Sequence, residues 1–160
     1  MGKLKGLRVI EIPPFRAVSS GLCGTEAMFG ENGFDPWMQA RKYLWRDVFY
    51  AHPDFLWHEG DKSVWIWAVK DGVTEADVAP YELIEYEGGM FAVATADEND
   101  SKDLGKVYKG MVKWIKRSAV FEQDDRPGHR GMCHVTGDGK IQKALGITQQ
   151  EIFLPVKFKN

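Results

Sequence analysis

The strongest constraint on the fold is that this chain carries one pattern twice. Val9-Ile10-Glu11-Ile12, a short turn and Ala17-Val18 return as Leu83-Ile84-Glu85-Tyr86, a Gly-Gly turn and Ala92-Val93, at an offset of 74 residues before the turn and 75 after it. A second pair closes each copy: Ile66-Trp67-Ala68-Val69-Lys70 reads against Phe153-Leu154-Pro155-Val156-Lys157, 87 residues later. One amphipathic stretch of helical period lies between the members of each pair. Two copies of strand, helix, strand, strand predict a pseudo-symmetric single domain over residues 1–160, with repeats at about 7–70 and 81–158. The groove between the copies is the expected ligand site. There the copies differ, because the alignment sets Val64 against Glu151.

At 160 residues the chain is long enough to bury a core without disulfides or metal. Six Trp, five Tyr and nine Phe are rich for this size, and a pocket gripping flat or cationic ligands would use those that the core does not. A net charge of −2 offers no footprint for a nucleic-acid backbone, so direct nucleic-acid binding is not expected. No apolar segment long enough for a signal peptide follows Met1 to Gly6, and no stretch approaches a membrane span. The expected location is cytoplasmic, with no membrane partner. Cys23 and Cys133 lack paired-ligand spacing and suit free thiols, although the sequence leaves a disulfide open.

Along the chain, Leu7 to Ser19 reads as a strand kinked at Pro13-Pro14. Gly21 to Gly33 reads as a loop without the Gly-Lys-Ser/Thr ending of a phosphate loop. Asp35-Pro36 starts a helix with Trp37, Ala40, Leu44 and Val48 on one face, ending before His52-Pro53. Phe55 to His58 and Ser63 to Lys70 form a hairpin about Gly60-Asp61, and Asp71 to Pro80 is a connector. Tyr81 to Glu87 and Met90 to Ala96 are a strand or hairpin about Gly88-Gly89. A helix begins near Ser101, with Leu104, Val107, Met111 and Ile115 as its buried stripe and its lysines toward solvent. Gly128 to Val135 and Gln149 to Lys157 are strands, joined by a loop holding Gly137-Asp138-Gly139 and Gly146.

A lone carboxylate in an apolar run, as Glu151 is, stands either at an exposed strand start or in a pocket, since an unpaired buried charge is costly. Ionised, it would attract a cation; desolvated, it could act as general base or acid. Trp65 and Trp67 share strand parity and are either core or walls of an aromatic cage with Trp57. Matching Ala68 with Pro155 sets Trp65 against Ile152 rather than Glu151. His129, Cys133 and His134 fall close together, but neighbours on a strand point to opposite faces, so neither a metal site nor a cofactor is expected.

The doubled pattern, the opening strand with its Pro or Gly interruption, and the closing run Glu151 to Lys157 resemble the gyrase-inhibitor-like family. This family includes the effector-binding domains of AraC- and MerR-type regulators. The resemblance spans about residues 7 to 158 and rests on order and spacing. It implies an α+β fold of two β-α-β-β units with a mostly antiparallel sheet, two helices packed on it and a ligand cleft between units. It also implies binding of lipophilic, often cationic, small molecules by aromatic walls and a buried glutamate. The chain has no room for a helix-turn-helix segment and looks like a stand-alone member. The implied ligand residues are Glu151, Trp57, Trp65, Trp67, Tyr86, Phe91, Tyr108 and Phe153. Phe91 stands where many relatives place tyrosine, leaving Tyr86 or Tyr108 to supply a hydroxyl. Some stand-alone members hydrolyse cyclopropane-containing compounds, so a hydrolase with Glu151 as catalytic group is the alternative. A protein-inhibiting partner is the third reading, with Asp97 to Asp100 and Glu122 to Asp125 as the acidic segments to inspect.

Overall fold

A computed structural model describes residues 6–48 and 52–160. The chain divides into two compact units. A continuous unit runs Pro14–Glu87, and a split unit joins the residues up to Pro13 with Gly88–Asn160.

Every element of the continuous unit follows from strands that need covering on one face. Its strands are β2 (Phe15–Ser19), β3 (Asp54–Glu59), β4 (Lys62–Ala68) and β5 (Glu82–Tyr86), in the antiparallel order β3-β4-β2-β5, following the first opening strand, β1 (Arg8–Ile12), of the split unit. Over one face lie the short helices α1 (Thr25–Phe29) and α2 (Phe34–Gln39) and a 3-10 turn at Lys42–Leu44. They bury Met28, Phe34, Met38 and Leu44 against Val18 and Trp67. The segment expected as a loop thus folds as α1, and the long helix expected from Asp35 is broken. After the 3-10 turn, Trp45 bridges Val69 and the Arg46 N–H donates to the Ala68 carbonyl at 3.0 Å, so backbone pairing with the end of β4 replaces another helical turn. Val48, predicted to be buried, is consequently exposed. The expected end of that helix, 49–51, lies outside the described residues. In the connector, Thr74 and Asp77 form a reciprocal capping box that nucleates α3 (Glu75–Val78).

The split unit pairs β1 with β6 (Gly89–Asp97), then β9 (Gln149–Phe158), then β8 (Met132–Thr136), all antiparallel, while β7 (Phe121–Gln123) pairs the far end of β9. Its sheet order matches that of the continuous unit when β5, β2, β4 and β3 are read for β1, β6, β9 and β8. Helix α4 (Ser101–Arg117) covers one face and buries Val107, Met111 and Ile115 against Ala92, Ala94, Ile152, Leu154 and Val156. The Asp100 carboxylate accepts from the Lys102 and Asp103 N–H groups and so caps its free amides. The loop expected after β8 contains α5 (Gly139–Leu145). Asp138 caps its start, accepting from the Ile141 N–H, and Gly146 ends it in the left-handed conformation that glycine adopts without strain.

The prolines and glycines of the opening segments act together. Pro13 and Pro14 have no N–H, so the β1 ladder to β6 stops at Ile12↔Gly89 and a separate ladder, β2 to β5, starts at Phe15↔Tyr86. The predicted kinked strand is therefore two strands in two units, and Gly88-Gly89 is a crossing point and not a hairpin turn. Pro155 obeys the same rule. Its carbonyl accepts the Asp124 N–H at 3.0 Å, and its donorless nitrogen faces the gap on β9 between the β8 ladder ending at Phe153 and the β7 ladder starting at Val156.

Met111 is fully buried beneath α4, whereas Lys109 on the same helix is exposed. Met111→Ala should lower unfolding stability by about 2–5 kcal/mol in urea titration, while Lys109→Ala should stay within about 0.5 kcal/mol of wild type.

Candidate functional site

Strand alternation divides each sheet into a helix-covered face and a helix-free face. In the split unit, Ala92, Ala94, Ile152, Leu154 and Val156 turn toward α4. Their alternates Arg8, Ile10, Phe91, Val93, Thr95, Glu151, Phe153, Met132 and His134 share the other face. Glu151 sits in the middle strand, with Thr95 opposite it on β6 and His134 opposite it on β8. It is 7% exposed, so it does not stand at an exposed strand start.

Three groups answer its charge. The Arg8 guanidinium forms an ion pair with Oε2. The Thr136 hydroxyl donates to Oε1 at 3.0 Å, and His134 Nδ1 lies 3.4 Å from the same oxygen. Burial pushes the Glu151 pKa up, but the hydrogen bonds from His134 and Thr136 and the charge of Arg8 outweigh it, leaving a net downward shift. Glu151 is thus a buried, ionised carboxylate.

Aromatic rings continue the same face. Phe153, two residues along β9, meets Phe91 edge-on at 6.1 Å, and Phe91 stacks on His129 at 5.8 Å with the planes 6° apart. His129 is held by the turn after β7, where Arg126 Nη2 lies 2.9 Å from His129 Nε2. The Arg126 Nε donates to both oxygens of buried Asp124, and the Asp124 pKa falls despite burial because of those bonds and charges. The His129 ring occupies the space where a side chain on Gly89 would project, and Gly89 itself has a φ of +147°.

The other predicted ligand residues fall elsewhere. Trp67 is 1% exposed in the helix-covered core of the continuous unit, stacked on Trp45 at 4.4 Å. Trp65 packs beside it, its Nε1 donating to Asp54 at 2.8 Å. Trp57 pairs with Val64 and so lies on the opposite, helix-free face, where its indole N–H is buried without an acceptor among the described residues. The single aromatic wall expected from Trp57, Trp65 and Trp67 is therefore not formed, because one-residue parity separates them. Tyr86 shares the face of Trp57 and stacks with Phe15 at 5.0 Å; burial and then Glu87 raise its phenol pKa, keeping it protonated. Tyr108 is half-exposed on α4. Arg8, Thr136 and the histidine contacts were not assigned to a site by sequence reasoning. The parity of His134 with Glu151 exists only once β8 and β9 are in register.

Three carboxylates of the acidic segments are engaged within the split unit. Asp97 accepts from the N–H groups of Asn99 and Thr148, Asp100 caps α4, and Asp124 is buried on Arg126. No helix among the described residues is long and apolar enough to cross a membrane.

The chain shares its fold with solved structures. SAV2435 bound to tetraphenylphosphonium aligns over 94% of this chain and 93% of that one, at 15% identity and a TM-score of 0.54. A Staphylococcus aureus MU50 protein, provisionally described as a bacterial transcription regulation protein, aligns over 96% and 99%, at 12% identity and a TM-score of 0.52. No family model and no curated protein matches the sequence. At these identities the likeness establishes architecture, and the chemistry has to be read from the side chains.

The lowered Glu151 pKa has a defined consequence for stability. A carboxyl whose folded pKa lies below its unfolded value contributes stability that is present above the unfolded value and lost as pH falls through the folded one. The stability advantage of wild type over Glu151→Gln should be present at neutral pH and shrink as pH drops below the ordinary value of 4.5. Denaturant midpoints measured from pH 7 to pH 3 check this; a constant difference would contradict it.

Proposed function

We propose that the chain binds lipophilic small molecules, cationic ones in particular, at the helix-free face of the split unit. The observation that carries this reading is a buried, ionised carboxylate on the same face as a cluster of aromatic rings: Glu151 with Phe153, Phe91 and His129. These rings are buried in the free protein, and turned outward onto a ligand they would remove its apolar surface from water, worth about 25 cal/mol per Å² buried. The carboxylate would favour a positive charge over a neutral molecule of equal shape. A protein of the same fold has been solved with tetraphenylphosphonium, a ligand of this chemistry, which supports the choice of ligand class.

Binding is preferred to hydrolysis because the depressed pKa makes Glu151 a weaker base than an ordinary carboxylate. Phe91 likewise has no hydroxyl to donate to a leaving atom. The reading includes Trp57 and Tyr86 as aromatic groups on the helix-free face of their own unit; Trp65, Trp67 and Tyr108 are assigned to packing and surface.

Calorimetric titration with tetraphenylphosphonium, with the ligand followed by mass spectrometry, tests the proposal. Saturable binding by wild type is expected, weakened about tenfold in Glu151→Gln, since a charge-assisted contact is worth about 1.5 kcal/mol or more. Phe153→Ala should weaken it also. Absence of binding, or equal binding by Glu151→Gln, would sink the reading, and Glu151-dependent breakdown of a ligand would replace it with hydrolysis.

A further inference from the structure

Arg8 is an obstacle to the simplest form of cation recognition. Its guanidinium already pairs with the Glu151 oxygen that Thr136 and His134 leave free. The Arg8 side chain is 42% exposed and that of Glu151 10%, so the guanidinium is the most exposed group touching the carboxylate. Its other nitrogen donates to the Gly6 carbonyl at 2.9 Å, steadying the side chain at the start of β1.

We propose that Arg8 is the resident counter-ion of Glu151, and that a ligand cation must displace it to be bound. The inference rests on the function proposed above and specifies its selectivity. A buried carboxylate stripped of all countercharge is strongly unfavourable, so the ligand-free protein needs a cation of its own. Arg8 supplies one without leaving the chain. The geometry makes its exchange feasible, because the guanidinium is part-exposed and can return to water, whereas the carboxylate cannot.

Selectivity follows from that competition. A small hydrophilic cation gives Glu151 nothing that the weakly hydrated guanidinium does not already give. A cation on a large apolar body adds the removal of that body from water, and this surplus is what drives displacement. Arg8 thereby sets a threshold: apparent affinity is reduced by the fraction of molecules in which the carboxylate is free. Molecules below the threshold are rejected even though their charge is correct.

The ions tetraphenylphosphonium and tetraphenylborate have the same shape and opposite charge, and titrating the full chain with each tests the proposal. Arg8→Met keeps an apolar stem and removes the charge. It should bind the phosphonium at least about tenfold more tightly than wild type, the equivalent of one charge-assisted contact. It should bind the borate no more tightly. Arg8→Lys, which retains a charge, should bind the phosphonium more weakly than Arg8→Met. Glu151→Gln frees the guanidinium and should shift preference toward the borate. If Arg8→Met fails to fold, Arg8→Gln replaces it. In wild type, the Arg8 Nε–H NMR signal should move toward that of free arginine as phosphonium is added, a readout requiring no folded variant. Phosphonium affinity that Glu151→Gln lowers and Arg8→Met leaves unchanged would overturn the role of Arg8 and keep the binding reading. No phosphonium binding by any variant would overturn both.

Discussion

Holding a carboxylate away from water costs several kcal/mol unless other groups compensate its charge and fill its lone pairs. Glu151 meets that requirement with three partners drawn from two strands: Arg8 from β1, and His134 and Thr136 from β8. These strands reach one carboxylate only because β6 and β9 stand between them in the order β1-β6-β9-β8. The charge and the sheet order are therefore mutually dependent. A one-residue slip of β8 on β9 would turn His134 to the α4 side and leave the carboxylate short of a donor.

The opening segments show how residues that cannot donate organise a sheet. At Pro13-Pro14 the ladder stops, and what would have been one strand serves two units. The missing N–H groups matter more here than the kink they impose. Gly88-Gly89 allows the second opening segment to make the corresponding change, and Gly89 also leaves the space that His129 fills against Phe91. A backbone requirement and a ring-packing requirement thus meet at one residue, connecting strand topology to the floor of the candidate site.

The two helix-free faces are chemically unequal although the strands of each unit follow the same order. The continuous unit presents Phe15, Phe55, Trp57 and Tyr86 with Val64 and Ile66, a surface of rings and branched aliphatics. At the position matching Val64, the split unit places Glu151 together with its ring of donors. A single apolar-to-acidic difference between matching strands thus puts a buried charge on one face where the other carries only apolar packing.

Much of this was legible in the chain itself. The buried stripe of α4, its start near Ser101 and the singular position of Glu151 are local or periodic properties, and they depend on residues close in sequence. The breaks in the helix after Asp35 were not legible, because backbone pairing of Trp45 and Arg46 with the end of β4 overrode a helical period that extended to Val48. Nor was the separation of Trp57 from Trp65 and Trp67, which depends on hairpin register. The Arg8 to Glu151 pair spans 143 residues and joins side chains two strands apart, so no local rule can find it. The sequence by itself determined where most of the strands lie and that one carboxylate lies among apolar residues, since alternation and composition are carried along the chain. Tertiary structure alone decided which face that carboxylate occupies and which charge meets it, because both are set by register between strands distant in sequence.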